Sequence, residues 1–285
     1  MPHQPVARAD AWQKLRALTP ARIALGRAGA SVPTAELLDF QLAHARARDA
    51  VHAPFDACKL AEEIGRLDVS TLCLTSGAAD RAAFLRRPDW GRRLDDDSRE
   101  ALALAAAAAA PCENIASAGE DHVVNTWRLD LAIVVSDGLS ALAAQRQVVP
   151  LLAAWLPLLR AERRSLAPIV IVEHGRVAIE DEIGHTFAAR VAVILIGERP
   201  GLGSPDSLGA YLVFGPRAGL SDADRNCLSN IRPQGLPPEA AALRLHYLFR
   251  ESLARKLSGV ALKDESVALE TTVTGMKPVE GPASG

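Results

Sequence analysis

An α/β fold, in which helices flank a parallel sheet and a helical N-terminal arm precedes it, is what this chain predicts. Three apolar runs of strand length, Leu129–Val135, Pro168–Glu173 and Val191–Ile196, alternate with helical stretches. That order requires parallel pairing through right-handed crossovers. At 285 residues, 49% hydrophobic and 23% charged, the chain has the length and composition of a globular protein with a sizeable core.

Each element follows in order. Ala11–Leu18 is a short amphipathic stretch, and Thr19–Gly29 is too interrupted by small and flexible residues to continue it, so the start reads as an ordered arm. From Thr34, read as an N-cap with Glu36 in the first turn, Leu38, Leu42 and Ala45 recur at helical spacing while Arg46, Arg48 and Asp49 take the wet side. This helix is predicted to end near Pro54, and the arm spans residues 1–65. Asp68–Thr75 alternates, with Leu72 and Leu74 on one face, and opens a second domain over 66–264. Arg81–Glu100 interleaves arginines with Asp89, Asp95, Asp96 and Asp97, the pattern of a solvated surface. Ser98 is the predicted cap of an alanine-rich helix through Ala110, and Pro111–Asn125 is a polar loop. Helices are predicted from Ser140 to Arg164, over Ile179–Arg190 and over Pro237–Leu257, the last closed by Gly259; Tyr211–Phe214 adds a strand. Residues 265–285, rich in Thr, Gly and Pro, read as a flexible tail.

Bulk chemistry narrows the function. Thirty-two basic and 34 acidic side chains give a net charge of −2, leaving no global field to gather nucleic acid or anionic lipid. Only 4% of residues are aromatic, too few for a base-stacking platform. The longest uncharged apolar stretches are short or cut by Pro150 and Pro157, which argues against a membrane span, and no secretory signal is readable, so the cytoplasm is the expected location. Cys58, Cys73, Cys112 and Cys227 lie far apart with no zinc-type spacing, so they read as reduced thiols and no metal site is expected.

Ligands of parallel sheets bind beyond the carboxyl ends of the strands. Three loops lie there. Ser136-Asp137-Gly138-Leu139-Ser140 opens a helix and offers backbone N–H groups, or else simply caps it. Glu173-His174-Gly175-Arg176-Val177 carries a histidine with no visible partner, read as a surface residue. Gly197–Gly209 contains Gly-Leu-Gly-Ser-Pro-Asp, but the third glycine of a dinucleotide fingerprint is missing and a strand, not a helix, follows. Its four glycines and two prolines nevertheless fix a special backbone path, with Glu198 at its mouth. Cys227 has no nearby histidine to activate it and reads as a small buried residue. No catalytic residue set is present, and the residues by themselves leave function open.

Six blocks in one order carry a resemblance. Leu18–Gly29, Phe40–His52, Arg86–Asp89, Ser136–Ala141, Gly197–Leu202 and Arg225–Pro233 together resemble the small (light) subunit of ethanolamine ammonia-lyase, over about Arg16 to Asp264. Pro111–Thr126 reads as an insertion, and the tail has no counterpart. The resemblance implies a Rossmann-like domain that covers adenosylcobalamin from one side. A large subunit, contacted by the arm, holds the substrate and the reacting side of the cofactor. The implied reaction is the radical rearrangement of ethanolamine to acetaldehyde and ammonia, by a hetero-oligomer in the cytoplasm or in a bacterial microcompartment. It also implies cofactor contacts at Val177, Glu198 and Cys227, with no catalytic residue on this chain. Two competitors remain: a self-sufficient nucleotide-dependent enzyme, which would need a phosphate loop, and a non-catalytic α/β scaffold of a microcompartment, which should bind no corrinoid.

Overall fold

The computed structural model describes residues 7–8, 12–19, 21–109 and 127–266; the Pro111–Asn125 loop and all of the predicted tail beyond Ser266 lie outside them. The chain begins with strand β1 (Ala7–Arg8), helix α1 (Gln13–Arg16) and strand β2 (Arg27–Ala28), which pairs antiparallel with β1. Helices α2 (Thr34–His52) and α3 (Ala57–Gly65) follow, then β3 (Thr71–Thr75), α4 (Arg81–Arg86), α5 (Asp96–Ala108), β4 (Leu129–Ser136) and α6 (Ala141–Ala161). After them come β5 (Ile169–Glu173), α7 (Ile179–Thr186), β6 (Ala189–Gly197), β7 (Leu208–Phe214), β8 (Arg225–Ile231) and α8 (Pro238–Arg255).

The main sheet has the order β3-β5-β4-β6-β7-β8. The first four strands are parallel, as the alternating pattern predicts, and β7 and β8 extend the sheet antiparallel. Period-two side-chain alternation gives the two faces separate cores. One face presents Leu131, Ile133, Ile171, Val193, Leu212 and Leu228 to α3, α6 and α8; the other presents Ala132, Val134, Val170, Val172 and Ile194 to α5 and α7. Helix α6 meets the length and apolarity of a membrane span, but its inner side from Ala144 through Trp155 to Leu159 is buried in the first core. Pro150 and Pro157 do not break it; both sit on its exposed side.

Several local expectations are corrected. Thr34 is the first helical residue rather than the cap of α2. Asp95 caps α5 by accepting from the Ser98 N–H at 2.8 Å, which frees the Ser98 hydroxyl to accept from the Thr75 N–H. Helix α8 ends on Lys256, left-handed at φ 55°, ahead of Gly259. Arg225–Ile231, where the apolar pattern predicts no strand, is the edge strand β8.

The arm packs unevenly. Ala57, Leu60 and Ile64 of α3 belong to the sheet's core, whereas α2 buries only Ala50. Leu38 and Leu42, read as its inner stripe, are 58% and 50% exposed, alongside Leu37 and Phe40. Tethers hold α2 in place: Arg16 bridges Glu36, Arg22 lies over the Phe40 ring, and the Arg81 guanidinium donates to the Val51 carbonyl at 2.8 Å.

Candidate functional site

The parallel strands switch direction of travel at β4: the chain leaves β4 for β5 on one side and reaches β6 on the other. Such a switch point opens a crevice at the carboxyl ends of the strands. Here the chain fills its own crevice. Asp137, 1% exposed, accepts from the His174 N–H at 2.7 Å and from the Arg81 guanidinium at 2.8 Å, and its carboxylate stands 3.2 Å from the His174 Nδ1. The Ser136 hydroxyl accepts from the Gly175 N–H, and the Ser76 hydroxyl donates to the His174 carbonyl. His174 is therefore the half-buried partner of Asp137 and not a free surface histidine. Burial holds the Arg81 guanidinium below its usual range against the opposing pull of Asp137.

Two glycines close the crevice toward β6. A Cβ on Gly138, which sits at φ 50°, would meet the Gly197 carbonyl at 2.4 Å, and one on Gly197 would meet the Ser140 carbonyl at 2.1 Å. Ser140 caps α6 through the Ala143 N–H and donates to the Pro205 carbonyl, tying the first loop to the third. The capping reading of the first loop is thus the one the structure bears out. The third loop is the turn between antiparallel β6 and β7, which removes any dinucleotide fingerprint from it.

An open surface lies beside this closed crevice. On the face covered by α5 and α7, neither helix extends over the upper part of β7 and β8. Tyr211 is half-buried at the margin of the core there, while Cys227 and Ser229 are exposed. Tyr211 and Cys227 are direct cross-strand partners, side by side on this face. Desolvation at that contact pushes the Cys227 thiol up, with Glu198 adding to it, so the sulfur is a neutral thiol near pH 7 and no nucleophile. This corrects the expectation of a buried cysteine: Cys227 is on the rim.

Glu198 anchors the upper end of this surface. Its carboxylate accepts from the Ser207 hydroxyl at 2.5 Å, the Ser229 hydroxyl at 2.6 Å and the Asn230 N–H at 3.2 Å. It thereby ties the end of β6 to the start of β7 and the end of β8. Asn230 takes a left-handed conformation, φ 59°, at this junction. Val177 sits in the loop before α7, half-buried against the same core that Tyr211 borders. Glu198 and Cys227 therefore lie together at the uncovered part of this face, while Val177 packs against the same core from the loop after β5, with β4 and β6 between.

Below this surface lies a charged cluster that sequence reasoning missed. Arg225, at the foot of β8, makes a two-pronged ion pair with Asp181 of α7 at 2.7 and 3.1 Å. Glu180, fully buried, stands 3.5 Å from the same guanidinium, and neither of its oxygens has a hydrogen-bond partner among the described residues. Burial raises its carboxyl well above the usual range, against the opposing pull of Arg225.

The sequence profile of the ethanolamine ammonia-lyase light chain matches residues 9–263. The chain belongs to the ethanolamine ammonia-lyase light-chain family. It is 54% identical over 267 residues to an ethanolamine ammonia-lyase small subunit of Azotobacter vinelandii, covering 94% of this chain and 93% of that one. It is 52% identical over 256 residues to one of Pseudomonas fluorescens, covering 90% and 86%, and 54% identical over 265 residues to one of Pseudomonas paraeruginosa, covering 93% and 91%. The light-chain family is one of lyase subunits.

Within this light-chain fold, Tyr211, Ser229 and Asn230 are the residues that join Glu198 and Cys227 into one surface. Only strand pairing brings them together, and nothing in the spacing of the sequence signals it. Among the described residues no group of three or more His, Cys, Asp or Glu side chains could hold a metal ion.

Proposed function

We propose that this chain is the small subunit of an adenosylcobalamin-dependent ethanolamine ammonia-lyase and that the uncovered surface over β7 and β8 covers one side of the cofactor. The observation that supports this reading is that Glu198 and Cys227 meet at that one surface, with Val177 packed against the core of the same face. Its chemistry suits a corrin ring edged with amides: the Glu198 carboxylate accepts, the Ser229 and Tyr211 hydroxyls donate or accept, and Val177 offers an apolar edge. When bound, adenosylcobalamin supplies the cobalt–carbon homolysis that starts the radical rearrangement of ethanolamine to acetaldehyde and ammonia.

What this chain's own residues do is hold and enclose. Glu198 presents the acceptor side of its carboxylate while Ser207, Ser229 and the Asn230 N–H fix its direction. Tyr211 and Cys227 form a neutral wall with no acid or base near pH 7. Val177, in the loop before α7, excludes water from the other side. We assign no catalytic residue here, and place substrate binding on a large subunit.

The contact with that large subunit falls to the arm, residues 1–65, and within it to α2. Helix α2 buries only Ala50 against its own chain and leaves Leu37, Leu38, Phe40 and Leu42 to solvent, an apolar stripe of the sort a permanent partner covers. The assembly belongs in the cytoplasm or in a microcompartment within it.

Co-expression with a candidate large subunit tests the reading. The purified pair should take up adenosylcobalamin, seen in the visible spectrum, and release ammonia from ethanolamine, while this chain alone does neither. Ammonia release by the isolated chain, or a stable pair that binds no corrinoid, would contradict it.

A further inference from the structure

Sequence spacing sets the cysteines far apart, yet the fold lays two of them together at the far edge of the sheet from β8. Cys58 is in the first turn of α3, and Cys73 is the middle residue of β3, the edge strand. The short link over residues 66–70 reverses the chain and brings the start of α3 back to Cys73. Strand alternation puts Cys73 on the face that α3 covers, opposite Leu72 and Leu74, which pack on the other core.

The Cys73 thiol donates to the Ala57 carbonyl at 4.0 Å. That carbonyl and the Cys58 nitrogen belong to one peptide unit, so the Cys73 sulfur stands against the backbone from which the Cys58 side chain springs. A disulfide joins Cα atoms about 4.4–6.8 Å apart, a separation within reach of a helix start whose backbone already meets the partner sulfur. Both residues are free thiols and both are exposed, so a small oxidant reaches them. Desolvation against the helix, then Cys58 and Glu173, push the Cys73 thiol up, which keeps it protonated in the resting chain.

We propose that Cys58 and Cys73 form a reversible redox site, a disulfide that closes under a low-molecular-weight disulfide and pins the start of α3 to the edge of the sheet. The Cys58 thiolate attacks one sulfur of glutathione disulfide and expels a glutathione thiolate. The Cys73 thiolate then attacks the Cys58 sulfur of the mixed disulfide and expels the second. The two protein thiols lose two electrons and two protons, and glutathione disulfide is reduced to two molecules of glutathione. In a reducing compartment such a pair acts as a switchable bond and not as a permanent staple. Only residues 53–56 separate α2 from α3, so closure fixes the junction from which the exposed stripe of α2 is held out. The site is independent of the cofactor reading.

The test uses the full chain. It is incubated with glutathione disulfide, the remaining thiols are capped with iodoacetamide, and the tryptic peptides are weighed. Asp49–Lys59 carries Cys58 and Leu67–Arg81 carries Cys73, each as its single cysteine. The expected product is these two peptides cross-linked, from a chain that stays a single chain on a non-reducing denaturing gel. Dithiothreitol should undo the link, and Cys58→Ser or Cys73→Ser should abolish it; both positions are exposed, so both variants keep the fold. The closed loop spans about 15 residues, so the oxidised chain should melt several degrees above the reduced one, a shift that Cys58→Ser does not show.

Separate glutathione adducts on Cys58 and Cys73 with no linked peptide would overturn the proposal. Links between two chains only, or from either cysteine to Cys112 or Cys227, would overturn it as well. So would a linked form that melts below the reduced one, because the bond would then be pulling α3 off the strand.

Discussion

The two halves of the sheet end in opposite ways. At the carboxyl ends of β4 and β5, where parallel sheets usually receive ligands, the chain inserts Asp137, Arg81 and His174 and seals the crevice with Gly138 against Gly197. At β7 and β8 it stops covering the sheet, leaving Tyr211, Cys227 and Ser229 around the Glu198 carboxylate. In the proposed reading the ligand surface is not the switch-point crevice. Here the antiparallel extension creates a second rim, and the filled crevice stiffens the loops on which that rim depends. The same contrast separates α3, absorbed into the core, from α2, which leaves its apolar stripe outward.

Breaking the closed half should have the largest effect. Asp137→Ala removes the acceptor of a buried ion pair and strands Arg81, so unfolding by denaturant should show a loss of about 3–5 kcal/mol. A loss below about 1 kcal/mol would mean that the crevice is not the anchor described. In the open half, Glu198→Ala leaves two hydroxyls and one N–H without their acceptor. It should cost roughly 1–3 kcal/mol and weaken adenosylcobalamin in the assembled complex by about five- to hundredfold. Val177→Ala and Cys227→Ser should shift that affinity little, because neither side chain offers the cofactor a strong hydrogen-bonding group. Equal losses in all three variants would remove Glu198 from its distinct role.

The third test concerns the cluster beneath the rim. Glu180 has a folded-state pKa raised above its unfolded value of about 4.5, so the folded chain holds a proton that the unfolded chain has released. The stability this contributes is complete below pH 4.5 and is lost as pH rises from there through the folded pKa. Glu180→Gln, which keeps the shape and cannot ionise, should flatten that part of the stability profile. Its stability should equal or exceed wild type near pH 7, as read by thermal unfolding across pH. A Gln variant with the wild-type pH slope would show that Glu180 is not the titrating group.

The parallel core was legible because Leu129–Val135, Pro168–Glu173 and Val191–Ile196 are buried on both faces and so read as continuous apolar runs. Strand β8 was not: it is an edge strand with only Leu228, Ile231 and Arg225 buried, and its register slips between Leu208 and Ala210, which blurs the alternation. The cap of α5 was ambiguous because Asp95, Asp96, Asp97 and Ser98 are all good caps in a row. The role of Leu38 and Leu42 was misread because helical spacing reveals apolar positions and not which way they face. At the site, the loops after the strands were found from the sheet pattern alone. Val177, Glu198 and Cys227 came from the family resemblance, and Tyr211, Ser229 and Asn230 emerged only when pairing set β8 beside β7. The Asp137–His174 pair, 37 residues apart, leaves no local signal.

The central claim is that the uncovered face of β7 and β8 is where the cofactor lies. Cys227→Trp places a large ring on that rim at an exposed strand position, where the fold and the arm are untouched. Titrating adenosylcobalamin into the assembled complex of this variant, with subunit association followed by sedimentation, should show intact assembly and cofactor binding abolished or severely weakened. An affinity equal to wild type in the assembled Cys227→Trp complex would contradict the account.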